Sequence, residues 1–147
     1  MIKPVDKDTA IERLERLCVK AERCEYELRL KLAVMGLTAD ADEVLDHLRR
    51  HRFVDDSRFA EAFVRDKYRF NLWGRIKIRN ALRLKRISSD IINSALAAID
   101  QKEYLDILRG LVRARIARGD DRNTIVRSLY SRGFEPDITA AVISGNK

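Results

Sequence analysis

The 147-residue chain is 36% charged and 46% apolar, with 7% aromatics, two prolines and a formal net charge of +7. So few aromatics and prolines argue against a β-sandwich and for helices, and no apolar run approaches the ~18 residues of a membrane span. The start, MIKPVDKDTAIERLE, has no apolar signal core, so a cytoplasmic protein is expected, with its two cysteines as free thiols.

In chain order, TAIERLERLCVKA predicts an amphipathic helix that opens with a Thr9–Glu12 capping box and repeats Ile11, Leu14, Leu17, Cys18 and Ala21. LRLKLAVMGLTADAD follows, with Leu28 and Leu32 on one helical face, Gly36 where a left-handed residue is wanted, Leu37 next, and Thr38 at the cap of a further helix. DDSRFAEAFVRDKY caps at Asp55 or Asp56 and turns Phe59, Ala62 and Phe63 inward. IRNALRLKRISSDII repeats the corner with Ile78, Leu82 and Ile87. Ser88 is its cap, Ile87 can staple onto Ile92, and Arg86 stands at the glycine position, so this corner is expected to be strained. KEYLDILRGLVRARIA places Tyr104, Leu105, Leu108, Leu111 and Val112 on a helix. IVRSLYSRGFEPDIT closes the series with Ile125, Leu129, Gly133, Phe134, a cap at Glu135 and Pro136 in the first helical turn.

The three corners superpose. Ile78, Leu82, Ile87 and Ile91 align with Ile125, Leu129, Phe134 and Ile138 at an offset of 47, and Leu28, Leu32 and Leu37 align with Ile78, Leu82 and Ile87 at an offset of 50. Each corner follows another amphipathic helix. The chain therefore reads as all-α, with three tandem three-helix units over 8–54, 55–100 and 101–145 in an elongated, curved arrangement.

Charge is distributed unevenly. Residues 1–54 hold 11 basic and 11 acidic groups, residues 55–101 hold 10 and 6, and residues 102–147 hold 9 and 6. The segment Gly74–Ile87 alone carries six Lys or Arg. On a helix, Ile78, Ala81, Leu82 and the stem of Lys85 share one side, Arg75, Arg79, Arg83 and Arg86 form a wedge on one flank, and Lys77 lies on the other. Four arginines so close repel one another, and a phosphate or carboxylate ligand relieves that repulsion. Arg75, Lys77, Arg79, Arg83, Lys85 and Arg86 are thus the candidate anion-binding residues, against the plainer reading of a solvated helix flank. Trp73 and Tyr68 lie just upstream and could stack on bases, although core packing is the stronger expectation for Trp73. Cys18, Cys24, His47 and His51 have the composition of a zinc site but no zinc spacing, so neither metal nor cofactor is expected. No phosphate-binding loop and no nucleophile signature is present, so no enzyme is expected.

FVDDSRFAEAFV followed by WGRIKIRNALRLKRIS resembles the RecX family of bacterial recombination regulators. Asp55, Asp56, Ser57, Arg58, Phe59 and Ala60 match the first part of the family's central signature, and Gly74, Ile78, Leu82, Lys85 and Ile87 match the second. Leu129, Arg132, Gly133 and Phe134 match its C-terminal element, and CEYELRLKLAVMGL its N-terminal one. Cys24 replaces a serine, Met35 a basic residue and Arg86 a glycine. The resemblance implies a monomeric modulator of the RecA recombinase that lies along the groove of the RecA–single-stranded DNA filament and suppresses its ATPase and strand exchange, with single-stranded and double-stranded DNA as further partners. The rival readings are a stand-alone helix-turn-helix DNA-binding module and a helical adaptor. No corner shows a base-reading cluster of Asn, Gln and Arg.

Overall fold

Acidic caps set most of the helix starts. In the computed structural model, which describes residues 5–145, α1 (Lys7–Lys20) begins after Asp6, whose carboxylate accepts the Thr9 amide at 3.2 Å. Thr9 and Glu12 therefore lie inside the helix, and the cap stands one turn earlier than the Thr9–Glu12 motif predicts. Asp6 takes the Thr9 hydroxyl as well, at 3.4 Å, which leaves that hydroxyl no capping role. Cys24 precedes α2 (Glu25–Val34), and Glu27 reaches back to the Cys24 amide at 3.1 Å.

The next helix, α3 (Ala41–Arg50), also departs from expectation. Thr38 sits in a turn whose carbonyl accepts the Ala41 amide, and Asp40 is the residue before the helix. By contrast, Asp55 caps α4 (Asp56–Arg69) through the Ser57 and Arg58 amides, at 2.9 and 3.1 Å. Gly74 precedes α5 (Arg75–Leu84), and Ser88 caps α6 (Ser89–Ala97) through the Ile91 amide. Asp100 and Asp121 cap α7 (Gln101–Ala117) and α8 (Arg122–Ser131) through the Glu103 and Thr124 amides. Pro136 opens α9 (Pro136–Gly145). The described residues form helices and no strand.

Three corners, α2–α3, α5–α6 and α8–α9, share one backbone design. Gly36, Arg86 and Gly133 adopt φ of 79°, 60° and 89°. The amides that follow, of Leu37, Ile87 and Phe134, donate to the carbonyls of Leu32, Leu82 and Leu129 at 2.9, 3.2 and 3.0 Å. This wraps the helix end and turns the chain into the next helix. Arg86 carries a Cβ in the left-handed region, at a cost of roughly 1–2 kcal/mol. Arg52 and Leu72 also take positive φ, beyond the ends of α3 and α4, where the pattern of apolar residues gives no warning.

The helices that pack closely do so within the triplets α1–α3, α4–α6 and α7–α9, which leaves the chain elongated. Two apolar cores result. One joins Leu14, Leu28, Leu32, Val44, Leu45 and Leu48 of the first triplet. The other runs unbroken through the second and third triplets, from Phe59, Ile78 and Leu82 to Leu108, Leu129 and Phe134. Each of these leucines contributes about 2 kcal/mol by its burial. On α4, Phe59 is buried but Ala62 and Phe63 only partly; Ala60, Val64 and Tyr68 complete the inner stripe.

Candidate nucleic-acid interface

The basic helix α5 begins at a backbone crossing. Its Gly74 amide donates to the Arg132 carbonyl at 2.6 Å, and the Ile76 amide to the Gly133 carbonyl at 3.0 Å. A Cβ on Gly74 would overlap the Gly133 carbonyl group, and one on Gly133 would overlap the backbone and Cβ of Lys77. Two glycines thus let the start of α5 dock directly on the α8–α9 corner.

Arg75 enters this joint rather than facing solvent. Its guanidinium donates to Glu135 at 2.8 Å and to Gln101 at 2.5 Å, and lies 3.9 Å over the Tyr104 ring. The Arg75 amide donates to the Tyr104 hydroxyl at 3.0 Å, and that hydroxyl donates to Glu135. Burial, then Glu135, pushes the Tyr104 phenol well above its ordinary pKa. Lys85 is likewise engaged, with its ammonium 3.0 Å from Glu27 on α2. Burial acts to raise the Glu27 carboxyl, but the Cys24 amide and Lys85 outweigh it and hold it below its ordinary value. Arg86 stacks over Tyr26 at 5.5 Å, and Arg79 donates to Asn93 at 2.8 Å. Arg83 is exposed. The wedge drawn from the helical wheel is therefore divided: Arg75 and Lys85 hold the triplets together, while Arg79, Arg83 and Arg86 remain on the outer surface.

Lys77, on the opposite flank, borders a groove of about 540 Å³ lined by Trp73, Arg115, Thr124, Arg127, Ser128 and Arg132. The Trp73 ring sits between the ammonium groups of Lys67 and Lys77, 4.8 and 4.4 Å from its centroid, and edge-on to Phe63. It packs on the second core and is still partly exposed, whereas Tyr68 is buried and cannot stack on a base. Asp120 neutralises Arg115 at 3.2 Å, and Arg132 donates to the Asn71 and Leu72 carbonyls. The groove cations of α7 and α8 were missed in the sequence because they lie at least 38 residues beyond Lys77, with nothing local to place them beside it. Only the glycine joint brings α8 beside α5.

The Asp55–Ala60 motif serves the other joint. Asp56 accepts the Glu25 amide at 2.9 Å, and its burial, the chief influence, raises its carboxyl pKa. Arg58 pairs with Glu22 and donates to the Arg52 and Phe53 carbonyls. Cys18 lies in the first core and Cys24 in the second, where burial pushes its thiol up to about 11. His47 contacts Glu15 at 3.3 Å and packs at a tilt of 49° against His51.

Residues 55–96 match the model of the second three-helix domain of RecX. Regulatory protein RecX of Xanthomonas axonopodis pv. citri (strain 306) is 31% identical over 135 residues, covering 88% of this chain and 82% of that protein. The chain belongs to the RecX family. Regulatory protein RecX of Clostridium botulinum (strain Eklund 17B / Type B) is 31% identical over 146 residues; the match covers 93% of this chain and 66% of that protein, so the chain spans just under two thirds of this RecX relative. The crystal structure of RecX from Lactobacillus salivarius superposes with a TM-score of 0.83 at 23% identity over 95% of each chain. A second RecX crystal structure gives 0.80 at 21% identity, over 94% of this chain and 71% of the other. The all-α RecX fold is common to all three.

Proposed function

We propose that the chain regulates homologous recombination and DNA repair by binding the RecA–single-stranded DNA filament, lowering its ATPase and strand exchange. Family membership supports the regulatory role. The observation that carries the contact is the band of cations that the joints do not consume: Lys77, Arg79 and Arg83, continued by Arg127 beside Trp73. In this reading the units 8–54, 55–100 and 101–145 act as three linked blocks of a monomer that follows a helical groove. Arg75 and Lys85 set the angles between blocks, and the others meet DNA phosphate or acidic recombinase surface. Single-stranded and double-stranded DNA are the free nucleic-acid partners in this reading. No described helix is long and apolar enough to cross a membrane, and a cytoplasmic site of action is proposed. A recognition-helix mode is disfavoured because the Arg86 and Gly133 corners are occupied by packing against α2 and α5.

The test is a Lys77→Gln, Arg79→Gln, Arg83→Gln triple variant, whose helix propensity barely changes. Its melting temperature should hold while filament binding and ATPase suppression are lost. On single-stranded DNA alone, each phosphate contact removed should flatten the log–log salt slope by roughly 0.7. A variant that regulates like the parent at every salt concentration would make these cations a solvated flank.

A further inference from the structure

The first triplet carries a groove that the proposed filament contact does not use. In the second and third triplets the first helix packs closely on the second; in the first triplet α1 packs closely on α3 alone. The resulting cleft between α1 and α2 has a volume of about 630 Å³. Its floor is aliphatic: Leu17 and Met35 are half-buried, and Leu30 and Val34 are 50% and 74% exposed. Its rim is basic, with Arg13, Arg16 and Lys20 on α1 and Lys31 on α2. Among the described residues, only Arg16 of these four is ion-paired, with Glu12 at 3.8 Å. Residues 1–54 have no net charge, yet four of their eleven basic groups line this groove.

The repeat frame sharpens the contrast. At an offset of 97, Leu30, Lys31, Val34 and Met35 align with Arg127, Ser128, Ser131 and Arg132, which line the polar groove beside Trp73. The same place on the repeat is polar and flanked by an aromatic ring in one copy, and aliphatic in the other. Bases need a flat π-face to stack on, and the first groove has no aromatic residue. Aliphatic anchors between cations fit instead an amphipathic helix with leucine-type residues at i, i+3 or i+4, and i+7, flanked by Asp or Glu.

We propose that the α1–α2 groove is a docking site for an acidic amphipathic helical segment of a partner protein. The probe is a synthetic, fluorescein-labelled peptide of about 18 residues with that pattern, set against a scramble of the same composition. Fluorescence anisotropy with the full chain should show saturable binding of the patterned peptide at least about tenfold tighter than the scramble. Leu30→Asp with Val34→Asp should abolish the difference, and both sites are exposed enough for the fold to survive. Lys20→Gln with Lys31→Gln should weaken binding and its salt dependence without touching the floor. Amide shift mapping should place the peptide on 13–20 and 30–35. Equal binding of patterned and scrambled peptides, shifts centred on α5 and α8, or displacement of the peptide from this groove by a single-stranded oligonucleotide would each overturn the proposal.

Discussion

The two joints of this molecule occupy equivalent places in the repeat and are built from different materials. Between the second and third triplets, Gly74 and Gly133 let backbone meet backbone, and one apolar core runs through both triplets. Between the first and second, Cys24 stands in the place of Gly74 and Arg86 in the place of Gly133. No backbone–backbone hydrogen bond crosses that joint among the described residues. Side chains bridge it instead: Lys85 to Glu27, Asp56 to the Glu25 amide at 2.9 Å, Arg58 to Glu22, and Arg86 over Tyr26. Two Cβ atoms thus separate a joint closed by main chain as well as by Arg75 from one whose hydrogen bonds and ion pairs all use side chains. Exposed pairs are individually worth ~1 kcal/mol or less. The second joint should therefore be stiff and the first compliant, and the compliant one connects the block that holds the aliphatic groove.

The largest expected effect comes from giving the stiff joint a Cβ. Gly74→Ala would drive a methyl group into the Gly133 carbonyl, with backbone on both sides and no flexible side chain to yield. Gly133→Ala adds left-handed strain at φ 89°. Each should cost about 4 kcal/mol, at the severe end for single substitutions. Urea unfolding followed by Trp73 fluorescence measures this, because the only tryptophan lies beside the joint. A loss under ~1 kcal/mol would show that the joint opens freely and that the comparison fails.

The corners were legible in the sequence because their requirement is local. A left-handed residue between two apolar ones has few solutions, and Gly36, Ser88, Gly133 and Pro136 all stand where the pattern places them. Asp6 displaced Thr9 as a cap because two good capping residues lay within one turn, and periodicity cannot choose between them. The joints were not legible. Arg75 and Glu135 are 60 residues apart and Lys85 and Glu27 are 58 apart. A helical wheel sees only one helix, so it grouped Arg75 with Arg79, Arg83 and Arg86 by angle and could not know that Tyr104 and Glu135 would take Arg75 away.

A smaller effect is expected from Tyr104→Phe. The ring stays packed on Phe134 and under Arg75, but the Arg75 amide loses its acceptor and Glu135 one of its donors. Glu135 keeps Arg75, so the cost should be about 1.5 kcal/mol, that of one part-buried donor left unmatched. An unchanged midpoint would show that water replaces the hydroxyl and that the joint rests on the glycines alone.

The compliant joint should respond to pH. Glu27 has a folded pKa below its ordinary 4.5, so its contribution is present above that value and lost as pH falls through the lower folded one. Asp56, raised by burial, acts in the opposite sense and gains as its carboxyl protonates. Glu27→Gln keeps an oxygen for the Cys24 amide and removes the charge that faces Lys85. It should lower stability at neutral pH by about 1 kcal/mol and make little difference once acid has protonated Glu27 in the folded state. Equal loss at both pH values would assign the effect to packing.

The smallest net effect, and the sharpest probe of the comparison, is Arg86→Gly. Removing a Cβ at φ 60° relieves roughly 1–2 kcal/mol of left-handed strain. Against this, the Tyr26 contact is worth ~0.5–1 kcal/mol at an exposed site, and a new glycine frees the unfolded chain by a further ~0.5–1 kcal/mol. The terms nearly cancel, so the unfolding midpoint should barely move. Flexibility is where the change should appear. With Arg86 gone, Lys85–Glu27 is the remaining side-chain bridge from that corner to α2, while Cys24 still keeps the backbones apart. Amide exchange in α2 should accelerate relative to α8 without a matching loss of global stability. A clear stabilisation, with exchange in α2 slowed, would mean that glycine at 86 suffices to rebuild a main-chain joint, and that the cysteine at 24 does not govern the difference.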